Sequence, residues 1–434
     1  MIIKNMKSRN QYIKECPKIK TTIHWYDMPD IKVVKLSPNY QERIMKELIG
    51  KYRKYGLKQR LSKKLGVDRH QLNIWLRLDS NFSVGSLKKI CKQSQISLNE
   101  MEKHIIGFGR RRMIMNPKFP FKMSSKEGIM LRSIINSEGH ISNQVGRSVM
   151  VRVPEIDMLE TVIKISKKLF GNFNVEIKKT KDKNTHEVFI PGEIGDVLVM
   201  SGLTRGKKSV KNPLVPRDIM TGPLWKKRIY LQWSMCGELE TPLRGKQVKL
   251  TRNVNVSHVV NKGFIKKMNF GQIFKKDIPV NLINKVSKYP PKLLIGENFL
   301  YEEFGIVRRL YFSNLWKYKN GGISSRWSIP ITNKKEIEIV YNVIGIPLKE
   351  KRKRVKIILD SYINSLLDIK TYKETYSILK RLKKKDIIER KSLIEYLGIR
   401  NNVNGLRKLD NHLKRFRMEG YIIQIGNGKY RLIR

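Results

Sequence analysis

Two stretches one hundred residues apart share a pattern. LRSIINSEG occupies residues 131–139, and LQWSMCGEL occupies residues 231–239. Each is apolar, carries small residues on one helical face, and has a glutamate beside a glycine near its end, Glu138 or Glu238. We therefore expect two similar short helices, each with a carboxylate at its C-terminal end.

This pair of helices resembles the LAGLIDADG homing endonuclease family, in which two such helices pack together and bring their final acids to one metal site. The resemblance implies that Glu138 and Glu238 are catalytic and bind Mg²⁺ or Mn²⁺. Phosphodiester hydrolysis needs a divalent cation held by hard oxygen ligands, and a helix C-terminus favours a cation. Ser133 and Ser137, one turn apart, would let the partner helix approach closely.

The residues around the two acids carry further expectations. Gly139 is predicted to adopt a left-handed helix cap and to lead into the first DNA-facing strand. The second copy departs from the family pattern, because Trp233 replaces a small residue and Leu239 stands where a glycine usually closes the motif. Asn136 and Cys236 are interpreted as packing residues rather than ligands.

The composition indicates a polyanionic partner. The 434 residues include 90 Lys and Arg against 37 Asp and Glu, which gives a formal net charge of +53. A globular chain this basic repels itself unless it meets a polyanion, and nucleic acid is the usual one. Charge alone does not choose between double-stranded DNA and structured RNA.

Cysteine usage and hydropathy exclude other classes. Three widely separated cysteines with no CxxC pair argue against a disulfide framework or zinc ribbon. No apolar run approaches the roughly 18 residues that cross a membrane. We expect a monomeric intracellular protein, cytoplasmic and nucleoid-associated or organellar, that is neither secreted nor bound to a membrane.

The central part of the chain is predicted to be α+β. Alternating valines at 149, 151 and 153 indicate a sheet with one buried face. The resemblance implies two pseudo-symmetric αββαββα halves that form a saddle over DNA. The predicted helices cover residues 126–138, 157–169, 193–201, 224–238, 283–288 and 335–344, and the predicted strands cover 148–153, 174–179, 186–191, 247–254, 306–311 and 327–331.

An all-α unit is predicted before the first half. Leucine recurs every fourth residue from Leu57 to Leu65, Gly66 ends that helix, and Asp68 is a good N-cap for the next. A helix, a glycine-centred turn and a polar-faced helix resemble a lambda-repressor-like helix-turn-helix, with residues 68–78 as the recognition helix. An ordinary helical bundle is the alternative.

A further unit is predicted at the C-terminal end. Helical patterns at residues 371–384, 391–397 and 404–417 precede two apolar-alternating arms that flank Asn427-Gly428, a strong hairpin signal. Three helices and a hairpin resemble a winged helix. Winged-helix units also mediate protein contacts, and this alternative stays open.

The domain boundaries follow from these patterns. They are an N-terminal extension (1–38), the helix-turn-helix domain (39–106), a linker (107–125), a first LAGLIDADG half (126–205), a connector (206–223), a second half (224–360) and the winged-helix-like domain (371–434).

Basic residues are assigned to catalysis and DNA contact. The resemblance places lysines near the scissile phosphates, and Lys208 (or Lys207) and Lys349 (or Lys351) stand at comparable positions. Such a lysine would stabilise transition-state charge, and simple phosphate neutralisation is the alternative role. The residues expected to contact DNA are Arg69, Gln71, Asn73, Arg77, Arg110, Arg111, Arg112, Arg152, Lys178, Lys249, Arg252, Arg326, Arg407, Lys408, Asn411 and Lys414.

Three functions fit this sequence. The first is a site-specific, Mg²⁺-dependent or Mn²⁺-dependent endonuclease that hydrolyses double-stranded DNA as a single chain. The second is a transcription regulator or RNA-splicing cofactor on the same fold that does not cleave, which Trp233 and Leu239 favour. The third is a structural RNA-binding protein, which would prefer folded RNA. The acid pair favours the enzyme.

Overall fold

The computed structural model describes residues 8–51, 57–78, 81–144, 147–180, 184–240, 250–258, 270–274, 277–318, 322–367, 387–390, 392, 394 and 403–433. The fold is a mixed α+β fold with several small antiparallel sheets, as predicted. Within these residues, no helix has the length and apolar character needed to cross a membrane.

The described helices are α1 (Arg9–Glu15), α2 (Pro38–Lys51), α3 (Leu57–Leu65), α4 (Arg69–Leu76), α5 (Val84–Ser94), α6 (Leu98–Glu102), α7 (Lys126–Ser137), α8 (Ile156–Phe170), α9 (Gly192–Met200), α10 (Lys208–Lys211), α11 (Arg217–Met220), α12 (Leu224–Glu238), α13 (Val280–Val286), α14 (Lys292–Glu302), α15 (Lys334–Glu338), α16 (Lys349–Leu367) and α17 (Val403–Met418). A 3₁₀ turn (Trp25–Asp27) and a π-helical segment (Ile339–Ile344) accompany them.

The described strands are β1 (Thr22–Ile23), β2 (Val33–Leu36), β3 (Phe82–Ser83), β4 (Ile105–Phe108), β5 (Ile114–Met115), β6 (Phe121–Lys122), β7 (Gly139–Ile141), β8 (Val149–Val153), β9 (Ile177–Lys179), β10 (His186–Ile190), β11 (Leu239–Glu240), β12 (Leu250–His258), β13 (Gly271–Phe274), β14 (Tyr311–Lys317), β15 (Ile323–Ile331), β16 (Ile388–Glu389), β17 (Ile422–Gly426) and β18 (Lys429–Leu432).

The chain divides into two compact units. The first contains the described residues up to Glu238 together with Asn253–Glu303 and Leu310–Ser328. The second contains Leu239–Arg252, Phe304–Arg309 and the described residues from Ile329 onward.

The first sheet lies in the first unit and has the strand order β7-β8-β10-β9. Its elements follow one another as α7, β7, β8, α8, β9, β10 and α9. Val149, Val151 and Val153 are buried while Arg152 is exposed and Met150 half-buried, so strand β8 has one core face and one outer face. The predicted alternation is confirmed for this strand.

The second sheet has five strands in the order β11-β12-β15-β14-β13. Ile273 is paired with Leu315, and Phe312 is paired with Trp327, on the buried face. The rings of Phe312 and Trp327 meet at 5.7 Å. A bulge between Phe312 and Asn314 interrupts the regular register of β14.

The N-terminal part of the first unit also contains a sheet, with the strand order β3-β2-β4-β5. The prediction that residues 39–106 are all-α is therefore wrong in part, because Phe82–Ser83 and the start of β4 are strands. The helices of this region are as predicted in one respect: Asp68 caps α4 by accepting a 2.6 Å hydrogen bond from the Gln71 amide.

The second unit holds the C-terminal elements. Strands β16, β18 and β17 form an antiparallel sheet in that order, and α17 packs on it. Ile388, Leu409, Leu413, Phe416 and Ile422 form its buried cluster. The predicted hairpin is confirmed as β17 and β18, whereas the predicted helix at 371–384 and most of the one at 391–397 lie outside the described residues.

Candidate metal site and nucleic-acid interface

Helices α7 and α12 pack directly against each other in the first unit. Ser133 Oγ donates a 2.6 Å hydrogen bond to the main-chain carbonyl of Tyr230. Asn136 Nδ2 donates to the Tyr230 hydroxyl at 2.8 Å and to the Leu214 carbonyl at 3.2 Å. A side-chain bond to a helix backbone requires close approach, so the role predicted for the small Ser133 agrees with this contact. Ser137 instead bonds carbonyls of its own helix.

Glu138 occupies the C-cap position of α7, and its amide donates to the Ile134 carbonyl at 2.8 Å. Its side chain lies against the main chain of Gly237 in α12. A β-carbon added at Gly237 would stand 2.3 Å from Glu138 Oε1 and 2.5 Å from its Cγ. Position 237 therefore has room for the carboxylate only because it is a glycine.

Glu238 is the last residue of α12 and directly follows Gly237. The Glu138 carboxylate thus touches the residue next to the second predicted acid. The side chain of Glu238 lies outside the described residues, so the two carboxylates are related here through the backbone of α12.

The predicted left-handed cap at Gly139 is wrong. Gly139 does not have a positive φ, and Glu138 itself ends the helix with φ −108° and ψ −13°. Glycine is needed at 139 for space, because an added β-carbon would stand 2.7 Å from Ile135 Cα. Strand β7 begins at this residue, as predicted.

Lys208 lies at the C-terminal end of α7. Its ammonium donates to the carbonyls of Ile135, at 3.5 Å, and Asn136, at 3.3 Å, and also to that of Ser137. A cation at this position neutralises the negative end of the helix. The neighbouring alternative, Lys207, places its ammonium 5.0 Å from the ring centre of Tyr318.

The lysines predicted for the second half lie in the second unit. Lys349 is the exposed first residue of α16. The alternative, Lys351, is buried. Their catalytic role stays a prediction.

A basic cleft of about 780 Å³ borders the first sheet. The predicted phosphate contacts Arg110, Arg111 and Arg112 line one side of it, and all three are exposed. The Arg112 guanidinium donates to the Phe189 carbonyl on β10. The remaining lining residues are Ile31, Lys32, Val33, His140, Ser142, Gln144, Arg147, Ser148, Met150, Phe189, Gly192 and Glu193.

A buried charge network joins Lys32 to helix α9 beside the arginine loop, residues 110–112. Lys32 is buried and pairs with Asp196, which also pairs with Arg205. Glu193 stands 3.9 Å from the Lys32 ammonium, and burial raises the pKa of its carboxyl above the usual range. A β-carbon at Gly109 would stand 2.9 Å from Glu193 Cδ. Nothing in the sequence pattern singled out this network, because its members are far apart along the chain.

Of the predicted DNA contacts on the first sheet, Arg152 is paired with an acid. Arg152 donates to Glu187 with its Nε at 3.0 Å and its NH2 at 2.5 Å. Glu187 stands between Arg152 on β8 and Lys178 on β9 in the strand register. Arg152 therefore meets DNA only by giving up or sharing this pair.

The DNA contacts predicted on the second sheet differ in how exposed their side chains are. Arg252 is fully buried, so the prediction that it faces DNA is wrong for this structure: a buried guanidinium cannot reach a groove. Arg326 is half-buried, and Lys249 lies outside the described residues.

The flanking contact residues are mostly at the surface. Arg69 and Arg77 are exposed on and after α4, while Gln71 and Asn73 are half-buried, and Arg69 donates to Gln59 Oε1 at 2.6 Å. In the second unit, the exposed residues on α17 are Arg407, Asn411 and Lys414. The side chain of Lys408 is outside the described residues.

Among the described side chains, no group of three His, Cys, Asp or Glu residues could hold a metal ion. This count does not include Glu238. Arg132, six residues before Glu138, is fully buried and donates to Asp218 at 2.7 and 2.8 Å and to the carbonyls of Ser201 and Met123. Sequence reasoning missed this pair, although an arginine inside an apolar motif was its signal.

Comparisons with known proteins found a match only among solved structures. No family model matches, and no curated protein matches. Among solved structures, the chain is similar to one described as "Structures and dynamics of mesophilic variants from the homing endonuclease I-DmoI", with 8% identity and a TM-score of 0.30. The similarity covers 54% of this chain and 98% of that one. A similarity this weak carries no argument about function.

Proposed function

We propose that the chain is a metal-dependent DNA endonuclease of the LAGLIDADG kind. The observation that carries the proposal is the contact between the Glu138 side chain and Gly237, the residue before Glu238. Two distant copies of one motif thereby bring their acid-bearing ends together, as the family resemblance implies. The two-half saddle, the helix-turn-helix and the winged helix belong to the same proposal.

The donor chemistry at the helix ends suits a hard divalent cation. Glu138 and Glu238 would hold Mg²⁺ or Mn²⁺ through carboxylate oxygens. Cys236, the nearby soft donor, is fully buried. When bound, such an ion polarises a phosphoryl oxygen and lowers the pKa of water.

The chain's own residues would position the substrate around this pair. Three carbonyls of α7 hold the Lys208 ammonium, and the last of them belongs to Ser137, the residue before Glu138. Lys208 is therefore a fixed positive charge at the end of the helix that carries Glu138. It would stabilise negative charge that develops on the phosphate. The arginines of the basic cleft would neutralise phosphates and raise affinity through counterion release.

Cleavage of a randomised plasmid library tests the proposal. The expected result with Mg²⁺ or Mn²⁺ is cutting at a reproducible site by the wild-type chain, with a loss of about a hundredfold to a thousandfold for Glu138→Gln and for Glu238→Gln. Glu127→Gln removes an acid near the start of the same helix, which pairs with Lys168, and is expected to cut normally.

The binding arm of the experiment separates the alternatives. Sequence-specific retention of DNA without cutting of any library member would overturn the enzyme and support the non-cleaving regulator. Preference for folded RNA over the same library would instead support the RNA-splicing cofactor or the structural RNA-binding protein.

A further inference from the structure

Helix α1 attaches the N-terminal extension to the first unit. Arg9 pairs with Glu303 and donates to the Met220 carbonyl at 3.1 Å. Glu303, the residue that ends α14, also accepts from Lys227 of α12 at 2.7 and 2.8 Å. The sequence patterns assign no role to residues 1–38, yet these contacts hold their first helix against α12 and the end of α14.

Tyr12 of this helix is buried at the predicted connector (206–223). It is 1% exposed, and its ring meets that of Phe299 on α14 edge-on at 5.9 Å. Its hydroxyl accepts a 2.9 Å hydrogen bond from the Val215 amide. A β-carbon at Gly296 would stand 2.2 Å from this hydroxyl, so α14 has room for it only at a glycine. Burial raises the pKa of the Tyr12 hydroxyl well above its ordinary value, so the group stays neutral.

The N-terminal extension binds both backbone groups of Val215. Tyr12 accepts from its amide, and the Cys16 thiol donates to its carbonyl at 3.6 Å. The same thiol donates to the Tyr12 carbonyl at 3.5 Å. All three residues are buried, where a backbone group without a partner is costly. These bonds therefore fix where this part of the connector lies.

Leu214, the residue before Val215, links the connector to the acid-bearing end of α7. Its carbonyl accepts from Asn136 Nδ2 at 3.2 Å, and the same amide group donates to the Tyr230 hydroxyl of α12 at 2.8 Å. Asn136 lies in the last turn of α7, two residues before Glu138. A continuous path of hydrogen bonds and adjacent backbone thus joins the N-terminal helix to the end of α7.

We propose that Tyr12 is a positioning residue for the candidate metal site, acting through the connector and Asn136 on the place where α7 presents Glu138. The inference rests on the proposed function, because Glu138 is the acid of that site. A hydrogen bond fixes the connector in one place, whereas ring packing alone permits small displacements. Because misplacing a catalytic group by about 1 Å costs about a hundredfold in rate, a smaller shift of the helix end is still measurable.

Tyr12→Phe in the full chain tests the proposal, because it keeps the ring against Phe299 and removes the acceptor of the Val215 amide. We expect kcat for plasmid cleavage with Mg²⁺ to fall about tenfold. The KM for DNA should change less than about twofold, because phosphate contacts supply the affinity and stay intact. Amide hydrogen exchange, measured by mass spectrometry, should become faster in residues 133–139 and around Val215.

Two further variants give the controls. Tyr40→Phe removes the hydroxyl of another buried tyrosine, which stacks on His104 in the N-terminal part of the first unit, and should match wild type in rate and exchange. Asn136→Ala breaks the same path nearer to Glu138. Combined with Tyr12→Phe, it should cut no more slowly than Asn136→Ala alone, because the two residues act in series. Thermal melting above the assay temperature shows that each variant is folded.

The other outcomes overturn the proposal. Wild-type kcat and exchange in Tyr12→Phe would show that the hydroxyl positions nothing. Faster exchange throughout the chain, or rate losses that multiply in the double variant, would make the effect a general loss of stability. If the wild-type chain cuts no DNA, the proposed nuclease fails instead, and exchange in residues 133–139 of Tyr12→Phe decides this inference: local acceleration supports it, and no change overturns it.

Discussion

Helices α7 and α12 carry copies of one motif, yet they contribute different groups to their contact. α7 contributes side chains, with Ser133 and Asn136 donating hydrogen bonds and Glu138 reaching across. α12 contributes the main chain and hydroxyl of Tyr230 and the bare backbone of Gly237. Aligning the copies places Ser133 opposite Trp233 and Ser137 opposite Gly237.

This difference accounts for how α12 accommodates Trp233 where α7 has a serine. A main-chain acceptor is present whatever the side chain, so α12 can carry Trp233 and still receive the bond from Ser133. Gly237 is the exception, because its missing side chain is what the contact uses.

The largest expected effect comes from the position at which the copies differ in charge, Arg132 against Gln232. Arg132→Leu should destabilise the fold by about 3–5 kcal/mol, because it leaves Asp218 without its buried partner. Urea unfolding measures the change, with Arg111→Leu as an exposed control. Wild-type stability in Arg132→Leu would show that the difference between Arg132 and Gln232 does not affect the stability of the fold.

Gly237→Ala tests whether the Glu138 carboxylate depends on the missing side chain at position 237 of α12. The new methyl would displace the flexible Glu138 side chain rather than backbone, so stability should change little. Cleavage should fall about a hundredfold, the usual cost of misplacing a catalytic group by about 1 Å. Gly50→Ala on α2 meets nothing within 4 Å and serves as the control. Full activity in Gly237→Ala would contradict the proposed carboxylate position.

Ser133→Ala tests the side-chain contribution of α7. Losing the 2.6 Å bond to the Tyr230 carbonyl should cost about 1 kcal/mol in the free energy of unfolding. Trp233→Ser is the aligned change in the other copy. Because it removes a buried ring from the core, it should lower the free energy of unfolding by about 3 kcal/mol or more. Equal effects of the two variants would argue that the copies contribute alike.

A smaller, pH-dependent effect on stability is expected from His258 in the second sheet. Burial lowers the pKa of His258 on β12, whose Nε2 lies 2.5 Å from Ser325 Oγ. The unfolded chain then binds the proton more tightly, so stability is present above the ordinary histidine pKa and is lost as pH falls below it. Melting at pH 7.5 and pH 5.0 should show a smaller acid loss in His258→Asn than in wild type. An identical loss in both would assign the effect to other groups.

Elements marked by a repeated motif or by an alternating pattern could be predicted from sequence, and unmarked or very short ones could not. The helices α7, α8, α9 and α12 and the strands β8 and β10 lie within a few residues of their predicted positions. Helix α14, whose residues from Leu293 to Tyr301 are all buried, was missed, because no repeated motif and no alternation of polar and apolar faces marks it. Strand β14 starts at Tyr311, where the prediction ended, since the bulge disturbs its alternation.

Of the candidate site, only the residues that recur in both copies of the motif could be predicted from sequence. Two glutamates one hundred residues apart were visible as a pair. The requirement for glycine at 237 was not, because it arises from a contact with Glu138 on another helix. Lys208 was named from sequence, but its contacts with three carbonyls of α7 could not be predicted.

The lysine that closes α7 has a consequence for handling the protein. Because an internal ammonium already balances that helix terminus, the proposed function predicts that chelators leave the purified chain folded but unable to cleave DNA. Adding back Mg²⁺ should then restore turnover without any refolding step. Apo and loaded samples would thus melt at similar temperatures, and storage in EDTA would be a reversible safeguard against unwanted nicking.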